Sequence, residues 1–194
     1  MVERLEDLQW LFLRHLRTEG KSPATLRLYG QSVTYLSSWL VAQGREADLD
    51  ELSRPAIWEW LGQLAETREP GTVGTRYRGL RRFCGWFVEE GELTKNPMQT
   101  LSPPSVGMKP IPVLDDAELA ALIKACAGRG LRDRRDEALI RLLLECGSRI
   151  SEVCGLGTDQ LDVDQGMAIV RGKGDKIRAV YFGARTARAL DRYL

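Results

Sequence analysis

The sequence is poor in metal-binding and disulfide-forming residues. It holds one histidine, His15, and four cysteines, Cys84, Cys126, Cys146 and Cys154, with no CxxC or Cys/His ligand spacing among its 194 residues. This argues against a zinc site or a disulfide framework, and the expectation is that no metal or cofactor is bound. Long apolar runs are missing too: none approaches the roughly 20 residues that span a bilayer. The amino terminus MVERLEDLQW lacks the basic-then-apolar form of a secretion signal. A cytoplasmic protein is expected. A surplus of one charge is also absent, since 28 Lys and Arg stand against 27 Asp and Glu. Any basic surface for a nucleic acid must therefore be local.

What is present suits an ordinary folded chain of one large or two small domains. The first hundred residues carry helical periodicity between breakers. Leu5, Leu8, Leu11 or Phe12, and Leu16 form a first stripe that stops at Gly20. In KSPATLRLYGQSVTYLSSWLVAQG, Ser22 is the N-cap and Pro23 the first helical residue, and Leu26, Tyr29, Val33, Leu36 and Leu40 share a face up to Gly44. A third helix starts near Ser53 and buries Ile57, Trp60, Leu61 and Leu64. A fourth runs from about Thr72 through VGTRYRGLRRFCGWFVEEG. Together they predict a four-helix bundle over residues 1–95.

Residues 96–112, NPMQTLSPPSVGMKPIP, contain five of the eight prolines and read as an extended linker. The second domain, 113–194, opens with a capped helix at LDDAELAALIKAC, continues with RDRRDEALIRLLLECG, and adds a short helix at RISEVCGL. The period then changes. Residues 166–182, GMAIVRGKGDKIRAVYF, are two β-rich runs around a Gly-Lys-Gly-Asp-Lys turn, which predicts a hairpin. A last helix begins in GARTARALDRYL, and the pattern breaks off without a C-cap. The fold class is mainly α with a small β-hairpin.

Three stretches carry candidate chemistry. On the fourth helix, Arg76, Arg78, Arg81 and Arg82 lie on one side and Tyr77, Leu80, Cys84 and Phe87 on the other. The run from 76 to 82 holds no acid, so pairing along the helix does not account for its arginines. Either they form a plain solvated face or they suit phosphates in a major groove. In ECGSRISEVCGL, Arg149 starts a short helix, where backbone N–H groups favour an anion, and Glu152 lies on its face three residues on. Either this pair presents Arg149 to a phosphate or it fastens two helices as a buried ion pair. In RGKGDK, flanking glycines give Lys173 an exposed perch, with Lys176 and Arg178 on the same hairpin. A phosphate-binding P-loop is excluded, because Gly174 follows the lysine and a strand comes next. An ordinary solvated turn is the alternative.

Taken in order, these stretches resemble the tyrosine recombinases of the phage-integrase and Xer type. SPATLRLYGQSVTYLSSWL is similar to that family's core-binding helix, and LRRFCGWFVEEGELTKNP to its helix and Asn-Pro exit. IPVLDDAELAALI resembles the entry to the catalytic domain, CGSRISEVCGL the Thr-Gly-Leu-Arg-Ile/Val-Ser-Glu-Leu box, and VRGKGDKIRAVYF the Gly-Lys-Gly-x-Lys-x-Arg hairpin. The resemblance implies a four-helix, SAM-like core-binding domain followed by the first half of an α+β catalytic domain, the two closing on duplex DNA as a C-shaped clamp. In the family a tyrosine attacks a DNA phosphate to give a 3'-phosphotyrosyl link, and strands are exchanged without metal or ATP. Arg149 matches the first phosphate-binding arginine, Lys173 the general acid for the leaving 5'-oxygen, and Glu152 the acid that supports the arginine. Lys21, Thr25, Arg27, Arg76, Arg78, Arg81, Arg82, Lys176 and Arg178 make up the implied DNA-contact set.

The departures are specific. The family's His/Lys-x-x-Arg box, its following His or Trp, and its tyrosine nucleophile have no match here. HLRT at His15 lacks the arginine, Tyr29, Tyr35 and Tyr77 fall in the amino-terminal helices, Tyr181 ends a strand, and Tyr193 matches a packing position. Ser148 replaces an apolar residue of the box. The expectation is an amino-terminal portion of a recombinase that binds double-stranded DNA without cleaving it. A monomer in isolation that meets other protomers on DNA is the expected state. A naturally short DNA-binding regulator or a helical protein-interaction module are the alternatives.

Overall fold

The computed structural model describes residues 4–103, 105, 107, 110–172 and 174–194. The chain divides into two compact units, Met1–Lys109 and Pro110–Leu194.

The first unit is a bundle of α1 (Leu5–Thr18), α2 (Pro23–Ala42), α3 (Arg54–Thr67) and α4 (Pro70–Glu89). The helix starts follow from local chemistry. Ser22 Oγ accepts from the Thr25 N–H at 3.2 Å, and Ser53 Oγ accepts from the Ala56 N–H at 3.4 Å. Each such cap is worth about 1 kcal/mol, and a proline at the helix start costs nothing because its missing N–H has no partner there anyway. The spaced apolar residues converge on one core, in which Phe12, Leu16, Val33, Leu36, Leu40, Ile57, Leu80, Phe83 and Phe87 are fully buried. Phe83 sits edge-on to Phe12 at 5.1 Å and to Phe87 at 4.8 Å between ring centroids, the arrangement that ring quadrupoles favour. Gly79 lets α2 and α4 approach closely: a Cβ there would meet the Ser32 side chain and stand 3.2 Å from Tyr29 Cα.

The boundary of this unit lies beyond α4. Asn96 Nδ2 donates to Arg81 O at 3.2 Å and its Oδ1 accepts from the Met98 N–H at 2.8 Å. Met98 and Leu101 are buried, and the Tyr77 hydroxyl donates to Leu101 O at 2.5 Å. Residues 96–101, read from composition as linker, thus pack onto the bundle. Proline density marks where helix is excluded, but it does not prevent an irregular segment from filling a core.

The second unit contains α5 (Asp116–Ala125), α6 (Leu131–Cys146), α7 (Ile150–Cys154), a single 3-10 turn (Thr158–Gln160), β1 (Leu161–Asp162), β2 (Met167–Arg171), β3 (Ile177–Tyr181) and α8 (Ala184–Tyr193). A reciprocal capping box starts α5: Asp115 Oδ1 accepts from the Glu118 N–H at 2.8 Å, and Glu118 Oε2 from the Asp115 N–H at 2.9 Å. Gly147, at φ +57°, ends α6 in the left-handed region and turns the chain into α7. The strands form one antiparallel sheet in the order β1-β2-β3, with Met167 opposite Tyr181 and Arg171 opposite Ile177. The hairpin is the one expected, while β1 was not foreseen, since two residues carry no periodicity. Ala138 and Leu142 of α6, Ala168 and Val170 of β2, Val180 of β3, Phe182 after it, and Ala189 and Leu190 of α8 make the core. Among the described residues no helix is long and apolar enough to cross a membrane.

Candidate functional site

The second unit builds its site around one carboxylate. Glu152, in the middle of α7, has a side chain only 2% exposed. It accepts four N–H groups. The Arg149 backbone N–H reaches Oε2 at 2.9 Å, which caps α7, and Arg149 Nη1 reaches Oε1 at 2.8 Å. From β3, Arg178 Nη1 reaches Oε1 at 3.1 Å and Nη2 reaches Oε2 at 2.9 Å, a two-pronged fit of guanidinium to carboxylate. These contacts hold the Glu152 carboxyl down at about 2, the Arg178 hydrogen bonds contributing most and the Arg149 backbone next, against an opposing desolvation. Burial alone would keep such a group neutral; the donors keep it ionised.

Two guanidiniums share one carboxylate, which leaves one positive charge unbalanced within the cluster. The surplus lies on Arg149, whose side chain is 67% exposed and commits one terminal nitrogen. Arg149 is therefore not the buried arginine of a helix-fastening pair: the fastening is done by Arg178, between β3 and α7. Arg149 is held at one edge and leaves the rest of its planar donor fork to solvent, which is the geometry of an anion receptor. Ser148, beside it, is buried, and its hydroxyl has no partner among the described residues.

The hairpin meets this cluster through Gly172. A Cβ at that position would stand 2.9 Å from Glu152 Oε1 and 3.4 Å from Arg178 Nη1, so a side chain there would displace the carboxylate. The Gly172 N–H donates to Lys176 O at 2.8 Å and closes the base of the turn. Gly174 at φ +73° and Asp175 at φ +62° make the reversal, with Asp175 Oδ1 paired to Arg171 Nη1 at 2.8 Å. Lys173 lies outside the described residues. Lys176 is exposed, with no side-chain partner among the described residues.

The arginines of α4 do not form the single cationic side expected of them. Arg76 is buried: Nη1 donates to Leu28 O at 3.2 Å, Nη2 to Gln31 Oε1 at 3.1 Å, and the guanidinium lies 4.6 Å from the centre of the Tyr35 ring. Burial lowers its pKa. It clamps α4 to α2 because it precedes Arg78 by two residues, about 200° around a helix. Arg82 is bound at both ends of its fork, Nη2 to Glu19 Oε1 at 2.6 Å and Nη1 to Glu89 Oε1 at 3.0 Å. The acids missing from the run 76–82 are supplied by the end of α1 and by the last turn of α4. Arg78 and Arg81 are exposed with neutral partners, Thr75 Oγ1 at 3.1 Å and the Tyr77 hydroxyl at 2.7 Å.

At the entry to α2, Lys21 Nζ lies 3.6 Å from Glu19 Oε2, and Thr25 Oγ1 lies 2.9 Å from the Ser22 cap. Arg27 is exposed, with no side-chain partner among the described residues. Tyr193 packs half-buried against the second core. Among the described residues no group of His, Cys, Asp or Glu is arranged to hold a metal ion.

Fold and site define a class. Residues 112–194 match the phage integrase family, and the chain is similar throughout its length to tyrosine recombinases. It is 31% identical over 197 residues to tyrosine recombinase XerC of Corynebacterium efficiens, matching 100% of this chain and 60% of that protein. It is 30% identical over 196 residues to tyrosine recombinase XerD of Pseudomonas aeruginosa, matching 100% and 63%. The chain thus spans about 60% of the length of these relatives. Among solved structures, a lambda integrase (75-356) dimer bound to a COC' core site has a TM-score of 0.75 at 15% identity, over 98% of this chain and 69% of that one. The Tn1549 transposon integrase in complex with a circular intermediate DNA has a TM-score of 0.69 at 20% identity, over 97% and 64%. At these identities the likeness is one of fold.

Proposed function

We propose that this chain binds double-stranded DNA and belongs to a site-specific recombination activity in which Arg149, Glu152 and Lys173 serve strand cleavage. The observation that carries this reading is Arg149: an exposed guanidinium gripped by one nitrogen, on a buried carboxylate that a second arginine holds. Its free donors suit the non-bridging oxygens of a phosphodiester, and they stabilise charge most where it accumulates, on the pentacoordinate phosphorus. Lys173, next after Gly172 in the sequence, is assigned by family resemblance to protonate the leaving 5'-oxygen. Glu152 stays ionised and touches no substrate. The 194 residues contain no His/Lys-x-x-Arg box, so this polypeptide by itself binds DNA without cutting it.

Of the implied contact set in the first unit, Arg27, Arg78 and Arg81 are exposed and have no carboxylate partner among the described residues, and they are the proposed phosphate contacts. Arg76 and Arg82 leave that set. Fluorescence anisotropy with duplex DNA across a salt series tests the reading. The double variant Arg78→Ala/Arg81→Ala should bind more weakly, and the slope of log affinity against log salt should flatten by about 2. Absence of duplex binding at low salt sinks the reading and favours a protein-interaction module. An SDS-resistant protein–DNA adduct would contradict binding without cleavage.

A further inference from the structure

We propose that Arg178 is a positioning residue that ties the β2–β3 hairpin to α7 through Glu152, so that Arg149 and the hairpin are held as one unit. The inference rests on the cleavage role proposed for Arg149 and Lys173, and it removes Arg178 from the DNA-contact set.

The geometry separates the two arginines on Glu152. Arg178 spends both terminal nitrogens on the carboxylate, at 3.1 and 2.9 Å, whereas Arg149 spends one, at 2.8 Å. A guanidinium bound through both prongs keeps only Nε–H and its outward N–H groups for a phosphate, and its side chain is less exposed than that of Arg149, 42% against 67%. Arg178 stands opposite Val170 in the β2–β3 ladder, so its backbone is part of the sheet and its side chain carries the sheet's position to α7. Glu152 passes that position on, because the same two oxygens receive the Arg149 backbone and side chain. Gly172 completes the joint by leaving room for Glu152 Oε1, which a Cβ would approach to 2.9 Å. Lys173 follows Gly172 in the sequence. Withdrawing Arg178 leaves a buried carboxylate with only the Arg149 contacts, and the carboxylate then draws further on the Arg149 guanidinium. The hairpin loses its only ion pair to α7 among the described residues.

The test uses the whole 194-residue chain with arginine and backbone 15N labels. In Arg178→Met, the Arg149 Nε resonance should shift, exchange of the Gly172 amide should rise roughly tenfold, as for loss of one supporting hydrogen bond, and the Glu152 carboxyl should titrate at higher pH. The salt slope of duplex binding should stay at its wild-type value. Gly172→Ala approaches the same joint from the hairpin side and should also shift the Arg149 Nε resonance. It keeps the proposal testable if Arg178→Met does not fold. A slope lowered by about 1 with Arg149 and Gly172 unmoved would make Arg178 a phosphate contact instead. Unchanged signals in both variants would overturn the coupling outright. The spectroscopic readouts need no DNA, so a chain that fails to bind duplex defeats the functional reading while these signals still decide the joint.

Discussion

At the residue scale, one carboxylate shows how a site is charged by its surroundings. Glu152 has its pKa lowered from an ordinary 4.5 to about 2, first by Arg178 and then by the Arg149 backbone. A depressed acid adds stability that is fully present above the unfolded-state value and is lost as pH falls through the folded-state value. Its contribution is therefore complete above about pH 4.5 and disappears between there and about 2. Chemical denaturation at a series of pH values should show wild type losing stability over that window, and Glu152→Gln should flatten this acid limb. An unaltered limb in the variant would mean that Glu152 is not held as described. Arg76 teaches the converse. An arginine in a basic run invites a surface reading, but this one has a carbonyl, an amide oxygen and an aromatic face waiting 41 to 48 residues earlier in the chain. Its neighbours in sequence say nothing of those partners.

At the scale of elements, helix ends and close approaches decide which faces meet. Helix starts at Pro23 and Arg54 were legible because a cap is a local event: Ser22 and Ser53 bond to N–H groups three residues away. The approach of α2 to α4 was not legible, since Gly79 in mid-helix carries no local signal beyond its poor propensity. Its reason is tertiary. Gly79→Ala puts a methyl group into the Ser32 side chain and 3.2 Å from Tyr29 Cα, so either the helices part or Ser32 changes rotamer. The expected cost in urea denaturation is about 1–3 kcal/mol, the range for overpacking a filled interface. A neutral or stabilising result would show that α2 and α4 yield at this point. The same displacement would disturb Arg76, whose partners are on the neighbouring turns of α2.

At the scale of the whole molecule, the two units have separate cores of unequal size. The first buries an aromatic cluster with most of the large apolar residues, and the second is built from two alanines and two aliphatics of α6 and α8, one phenylalanine, and small residues of the sheet. All five tryptophans, Trp10, Trp39, Trp58, Trp60 and Trp86, lie in the first unit. Tryptophan fluorescence therefore follows that unit alone, whereas far-ultraviolet circular dichroism follows both. The smaller core should unfold first, so the dichroism transition should begin at lower urea than the fluorescence transition. Coincident curves would mean that the chain unfolds as one cooperative body. Charge tells a similar story: each unit holds 14 Lys and Arg, against 14 acids in the first and 13 in the second. Phosphate affinity then depends on where individual acids sit, not on bulk charge.

The sequence by itself determined the helices, their caps, the hairpin, and the pairing of Arg149 with Glu152, because each rests on periodicity or on partners three to four residues apart. Its order of motifs also carried the family. Only the tertiary structure decided which arginines are free. Arg76 is spent on α2, Arg82 on Glu19 and Glu89, and Arg178 on Glu152, while Arg149, Arg78 and Arg81 keep unspent donors. The reason is physical: a guanidinium binds whichever carboxylate or carbonyl the fold brings within about 3 Å, and that partner can stand anywhere in the chain.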